Sequence, residues 1–254
     1  MKRITVLLAD DHAIVRTGLR ALLEAVGDIH VVGEADNGHR AVLEAARLQP
    51  DVVLLDLSMP ILNGVEAARQ IAQAVPAAKV LVLSSYSDGQ HVRQAIQAGV
   101  VGYVMKEAGA DDLLEAIRRT RNGDAFFSPP VLKQLLEQSS KSPGDRSCGT
   151  CEVSTLPSRQ VEVLQLIAEG HSTKQIAARL RLSRKTVEKH RQGLMDALNL
   201  HKPAALTRYA AAIGIIDLGR IPDCFPALPE SQPCFRQGQK ARNGRVSSWV
   251  SSWR

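Results

Sequence analysis

The sequence predicts an α/β doubly wound, five-stranded parallel sheet followed by an all-α four-helix unit. Three observations predict it. Across residues 1–127, five short apolar runs alternate with amphipathic segments of helix length. Around residues 139–155 that pattern gives way to Ser, Lys, Pro and Gly. From Leu156 to Ile216 a helical period returns without strands. Alternating strands and helices imply a parallel sheet covered on both faces, with right-handed crossovers.

The strands are expected at 4–9, 31–34, 52–55, 80–83 and 102–104, each nearly all apolar, as strands buried on both faces should be. The first intervening helix carries Leu19, Leu22, Leu23 and Val26 on one face, and the third carries Val65, Ala68, Ile71 and Ala72. Pro129 and Pro130 open a short helix running through Leu136, and a flexible linker follows. In the all-α unit, Val161, Leu164 and Ile167 mark one helix, and Ile176, Ala177 and Leu180 a second. Val187, Leu194 and Leu198 mark a third, and Pro203 opens a fourth that stops at Gly214. Four prolines between Pro222 and Pro233 and the polar, basic residues after them predict a disordered tail. The expected organisation is therefore 1–127, a linker with a short helix at 128–155, a helical domain at 156–216 and a basic tail at 217–254.

Composition narrows the function classes. The 254 residues are 44% hydrophobic and 23% charged, with no run long enough to span a bilayer. Asp10 and Asp11 cut off the first apolar run, which is too short for the core of a secretory signal. Four cysteines are too few for a disulfide scaffold, and the expected location is the cytoplasm. Net charge is −3 over 1–127, zero over 128–155, +6 over 156–216 and +3 over 217–254. An acidic front and a basic back imply two jobs.

The front half gathers carboxylates at strand ends. Asp10 and Asp11 follow the first strand and Asp56 the third, so adjacent placement of those strands puts all three at the carboxyl end of the sheet, where such folds bind ligands. Clustered like charges call for a hard divalent cation with oxygen ligands, which describes Mg²⁺. Ser84 ends the fourth strand and Lys106 follows the fifth, adding a hydroxyl and an ammonium suited to a phosphoryl oxygen.

At these residues the chain resembles a response-regulator receiver domain, of flavodoxin-like fold. The resemblance rests on Leu8-Ala9-Asp10-Asp11-His12, Arg16 with Gly18-Leu19, Asp56-Leu57-Ser58-Met59-Pro60 with Asn63-Gly64, Ser84, and Gly102-Tyr103-Val104-Met105-Lys106. It implies that Asp56 is the phosphoacceptor and that Asp11, Asp56 and the Ser58 carbonyl hold Mg²⁺, with Asp10 acting through water. Ser84 and Lys106 would contact the phosphoryl group, and Tyr103 would be the switch aromatic, following Ser84 inward. Glu107 stands where many receivers have proline. The donor would be a phosphohistidine on a partner sensor histidine kinase.

In the basic half, Arg181-Leu182-Ser183 makes a tight corner in which Ser183 caps the following helix, a helix-turn-helix arrangement. At 100° per residue, Lys185, Glu188, Lys189 and Gln192 share the outward arc as candidates for base edges. Thr173, Lys174, Arg184 and Thr186 lie near helix starts, where phosphate contacts are favoured. Leu156-Pro157-Ser158-Arg159-Gln160, Val163-Leu164, Ile167-Ala168-Glu169-Gly170, Ile176-Ala177, Leu180, Leu182-Ser183 and Lys185-Thr186-Val187-Glu188-Lys189-His190 resemble the LuxR-type helix-turn-helix. Together the two resemblances point to the NarL/FixJ family of transcriptional response regulators. They imply double-stranded promoter DNA as partner, homodimers formed on phosphorylation through the fourth helix, and relief of an inhibitory contact between the halves. RNA polymerase is a candidate partner. Gly193 and Asp196 depart from the pattern and are expected on the outward side of the third helix.

The expected function is thus a phosphorylation-controlled transcription factor, not an enzyme. Two other readings use the same residues: a phosphate-independent DNA-binding regulator with a vestigial pocket, and a phosphotransfer enzyme acting through the acidic cluster. Cys148 and Cys151 form a CxxC in the linker, outside the context in which it serves redox or zinc chemistry.

Overall fold

The computed structural model describes residues 3–86, 89–139, 156–200 and 202–216. The linker beyond residue 139, with Cys148 and Cys151, and the tail from 217 lie outside the described residues.

The chain runs β1 (Ile4–Ala9), α1 (Ala13–Ala25), β2 (Ile29–Ala35), α2 (Gly38–Leu48), β3 (Val52–Leu55), α3 (Gly64–Ala74), β4 (Lys79–Ser84), α4 (Gly89–Gln97), β5 (Gly102–Met105), α5 (Ala110–Arg121) and β6 (Phe126–Phe127). Then come α6 (Pro129–Ser139), α7 (Ser158–Ala168), α8 (Thr173–Leu180), α9 (Arg184–Leu198) and α10 (Pro203–Ala212). The sheet is parallel in the order β2-β1-β3-β4-β5-β6. The five expected strands are present. A sixth, the two-residue β6, pairs with β5 at the edge, too short to leave a strand signal in the sequence.

Strand side chains alternate between two cores. Leu7, Ala9, Val53, Leu55, Val80, Val82 and Tyr103 pack on one face with Ala68 and Ile71 of α3, and Val131 of α6 joins them. Ile4, Val6, Leu8, Val52, Leu54, Leu81, Leu83 and Val104 pack on the other with Leu23 of α1 and Leu113 and Ile117 of α5. The edge strand β2 exposes His30, and its register with β1 shifts between Val6 and Leu7. A third core unites α7 to α10 around Leu164, Ile176, Val187, Leu194 and Leu206.

Helix ends follow local chemistry. The side chains of Asn37 and Asn63 cap α2 and α3, Ser172 and Gln175 form a capping box on α8, and the Ser183 hydroxyl accepts from the Thr186 N–H at 3.0 Å to cap α9. α10 begins at Pro203, and its stop is followed by Gly214 at φ +72°. The sequence pattern left one feature of α7 unread. Glu162, Val163, Gln165 and Leu166 are buried along with the expected Val161, Leu164 and Ile167, because this helix packs against the sheet half as well as its own bundle.

Candidate functional site

Register alone assembles the acidic site. Ala9 pairs with Leu55 and Ser84 with Met105, so the next residues of β1, β3 and β5, together with Ser84 at the end of β4, emerge at one end of the sheet. The Asp56 N–H donates to the Ala9 carbonyl at 2.8 Å and the Lys106 N–H to the Ser84 carbonyl at 2.9 Å, which fixes the mouth. The Arg16 guanidinium donates to the Asp10 carbonyl at 2.6 Å and pairs with Glu34 at 3.3 Å, holding the first acidic turn against β2.

Asp10, Asp11, His12 and Asp56 each place one ligand atom within 4.8 Å of the others. Asp10 and Asp56 are 3% and 4% exposed, and Lys106 Nζ lies 2.7 Å from Asp10 Oδ2 and 3.1 Å from Asp56 Oδ2. Burial pushes the Asp56 carboxyl above the usual range. The Lys106 ammonium opposes that shift and the neighbouring Asp10 charge adds to it. Lys106 is itself held above its ordinary value: burial works against its charge, and Asp10 and Asp56 outweigh it. Asp56 Oδ2 is buried and accepts no hydrogen bond, leaving a charged oxygen satisfied only by the lysine. Three carboxylates with one such under-satisfied oxygen fit a hard divalent cation. Ser58 lies two residues beyond Asp56 and is half-buried.

His12 was given no role by sequence reasoning. Its Nδ1 stands 3.1 Å from Asp10 and 2.9 Å from Asp11, although the ring itself is exposed. Glu107 is exposed and takes no part. Ser84 and Tyr103 are fully buried. Tyr103 donates its hydroxyl to the Tyr86 carbonyl, and the Tyr86 N–H donates to Ser84 Oγ at 3.1 Å. The Tyr103 ring lies in the interior. Tyr86 stacks on His91 of α4 at 5.4 Å.

On the helical half, Lys185, Glu188, Lys189 and Gln192 are all exposed on α9, and Lys174 and Arg184 are exposed at the starts of α8 and α9. Thr173 accepts from Arg191 at 2.9 Å, and Thr186 is half-buried with its hydroxyl 2.7 Å from that of Ser183. Asp196 is exposed and accepts from Gln192 at 2.8 Å. Gly193 differs from expectation. A Cβ there would meet Gln160 of α7 at 3.4 Å, so this position faces the bundle rather than the outward arc.

The two halves touch. Gln165 of α7 bonds to Met59 and Asn63 on the loop after β3, Glu169 bonds to Ile61, and Gln94 of α4 donates to the Ile213 carbonyl after α10 at 3.3 Å. These contacts leave the outward residues of α9 exposed. The sequence pattern marks Glu169 only as part of the LuxR-type motif and leaves Gln165 unmarked, because a polar residue on a helix reads as solvent-facing.

Two family models match the chain: the response regulator receiver domain over residues 6–118, and the luxR family of bacterial regulatory proteins over 154–210. The chain is similar to the response regulator protein VraR of Staphylococcus aureus, with 36% identity over 208 residues, covering 82% of this chain and 96% of that one. Among solved structures it is similar to the RcsB response regulator of Salmonella typhimurium, at 27% identity and a TM-score of 0.52 over 84% of this chain and 100% of that one. It is also similar to a structure of two RcsB dimers bound to two parallel DNAs, at 27% identity and a TM-score of 0.52 over 83% and 99%. No helix among the described residues is long and apolar enough to cross a membrane. Both family models, in this order, and the near full-length likeness to a curated relative show that the chain belongs to the NarL/FixJ-type family of two-component response regulators, which carry a LuxR-type DNA-binding domain.

Proposed function

We propose that the protein is a cytoplasmic transcription factor in which Asp56 accepts a phosphoryl group from a partner sensor histidine kinase, shifting the chain toward a dimer that binds promoter DNA. The observation that carries this reading is the convergence of Asp10, Asp11 and Asp56 with Lys106 Nζ at the carboxyl end of the sheet, the ammonium 2.7 and 3.1 Å from two of the three carboxylates.

Asp11, Asp56 and the Ser58 carbonyl would hold Mg²⁺ directly. Both oxygens of Asp10 are already engaged, by the His12 N–H at 2.8 Å and by Lys106, which suits a role through water. Bound there, the cation screens the attacking carboxylate from the anionic phosphoryl oxygens. Asp56 is the nucleophile. Lys106 is within reach to exchange a carboxylate for a phosphoryl oxygen, and Ser84 offers a hydroxyl to another. The Ser84 hydroxyl can donate to a phosphoryl oxygen while its oxygen accepts the Tyr86 N–H, and Tyr86 stacks on His91 of α4, which connects the site to that helix.

On the helical half, Lys185, Glu188, Lys189 and Gln192 are the residues proposed for base edges, with Thr173, Lys174, Arg184 and Thr186 for phosphates. Thr173 and Thr186 first release internal partners to do so. α10 exposes Ala204, Arg208 and Ala212 at helical spacing, a face available to a second copy.

Incubation with acetyl phosphate and Mg²⁺, followed by intact mass, tests the acceptor. One phosphoryl group on the wild type and none on Asp56→Asn is the expected result. Multiple turnover of the donor without an adduct would favour a phosphotransfer enzyme, and an unmodified wild type a regulator that works without phosphate.

A further inference from the structure

The outward side of α9 carries two carboxylates, which general attraction to a polyanion does not call for. Glu188, Gln192 and Asp196 follow one another at intervals of four, all exposed, with Lys185 and Lys189 beside them. Glu188 pairs with no cation among the described residues, although Lys189 adjoins it and Lys185 lies one turn back. An ionised carboxylate only accepts hydrogen bonds, so in the major groove it has two suitable partners, the amino groups of adenine and cytosine. The remaining polar groups on the groove floor are acceptors and oppose it. Adenine sets one of those, N7, beside its amino group, whereas cytosine sets a C–H there. Cytosine is therefore the base that a free carboxylate fits.

Gln192 is held from its far end. Its Nε2 donates to Asp196 Oδ1 at 2.8 Å, and because an ionised carboxylate cannot donate, the amide oxygen of Gln192 lies on the side away from Asp196. The second hydrogen on Nε2 stays available. An oxygen and an N–H held in that order match the amino group and N7 of adenine. Four residues of helix rise about 6 Å, close to two base-pair steps, so Glu188 and Gln192 meet different base pairs.

We propose that α9 selects a cytosine through Glu188 and, about two base pairs away, an adenine through Gln192, with Asp196 as the positioning residue that holds the Gln192 amide. The proposal deepens the assignment of α9 as the DNA-reading helix and rests on it. It commits the protein to a sequence class, to which the lysines alone would leave it indifferent.

The test uses the full-length protein treated with acetyl phosphate and Mg²⁺, and a pool of duplexes with a randomised core. Selection gives a preferred duplex, on which each single base-pair change is measured by fluorescence anisotropy. A C·G pair should be preferred about tenfold at one position of each half-site, and an A·T pair at another. Glu188→Ala should level the first preference to within about threefold and leave the second in place. Glu188→Gln should move the first preference to adenine, an exchange that a merely structural role would not produce. Asp196→Ala should weaken the adenine preference about threefold, and Asp196→Asn, which keeps an acceptor oxygen, should restore it. Loss of the Asp196 charge tightens all duplexes alike, so the ratio between duplexes reads positioning alone. Binding without a cytosine preference, or a preference that survives Glu188→Ala, overturns the assignment of Glu188 and leaves α9 standing as the DNA-binding helix. An adenine preference unmoved by Asp196→Ala overturns the positioning role in the same way. Failure to bind any duplex in the pool overturns both readings together.

Discussion

Gly64→Ala strikes the acceptor loop directly. Gly64 is the first residue of α3, and its N–H donates to the Leu57 carbonyl at 2.8 Å. A Cβ there would lie 2.1 Å from the Asp56 carbonyl oxygen, 2.7 Å from Leu57 Cα and 2.9 Å from the Asp56 carbonyl carbon, whereas ordinary contact begins at 3.4 Å. All three neighbours are backbone, so no side chain can rotate away, and the loop must shift by more than an ångström. Overpacking of this kind costs about 1–3 kcal/mol, against which the better helix propensity of alanine returns at most about 1 kcal/mol. The expected net loss of ~1–2 kcal/mol lowers Tm by about 2–8 °C for a protein of this size. Thermal unfolding followed by circular dichroism reads it, and the rate of modification by acetyl phosphate should fall in the same variant because Asp56 is displaced. Unchanged Tm together with an unchanged rate would refute the claim that Gly64 permits the close approach of α3 to the acceptor.

Three further predictions use other parts of the chain. A Cβ at Gly18, within α1, would meet nothing within 4 Å, so Gly18→Ala should stabilise by up to about 1 kcal/mol in urea unfolding; destabilisation would show that the position is crowded. Burial raises the Asp56 pKa, so the protonated form contributes stability that is present below the unfolded value and lost as pH rises through the folded one. Asp56→Asn should therefore be more stable than the wild type at neutral pH without divalent cations, with the gap closing as pH falls toward the ordinary carboxylate range. An equal or lower stability at pH 7 would reverse the assignment of burial as the dominant influence. Lys174→Ala should flatten the salt dependence of DNA binding by about 0.9 in log–log slope, measured by fluorescence anisotropy, while an unchanged slope would remove Lys174 from the phosphate contacts.

The amino-acid sequence by itself determined five of the six strands, the helices and the placing of Asp10, Asp11, Asp56, Ser84 and Lys106 at one end of the sheet, because burial on both faces of a parallel sheet writes continuous apolar runs whose ends are read directly. It determined the outward set on α9 for a similar reason: a period of 3.6 residues separates Val187 and Leu194 from Lys185 and Lys189. Only the tertiary structure decided three other matters. Tyr103 lies fully inside, since the Tyr86 carbonyl that receives its hydroxyl comes from another loop. Gly193 faces α7, because its neighbour Gln160 is contributed by a helix 33 positions earlier. Gln165 and Glu162 are buried polar residues, and their partners Met59, Asn63 and Gln70 lie about a hundred residues away. Local periodicity encodes whether a side chain is apolar enough to hide; it does not encode which distant backbone will satisfy a polar one, and that pairing exists only once the two halves have met.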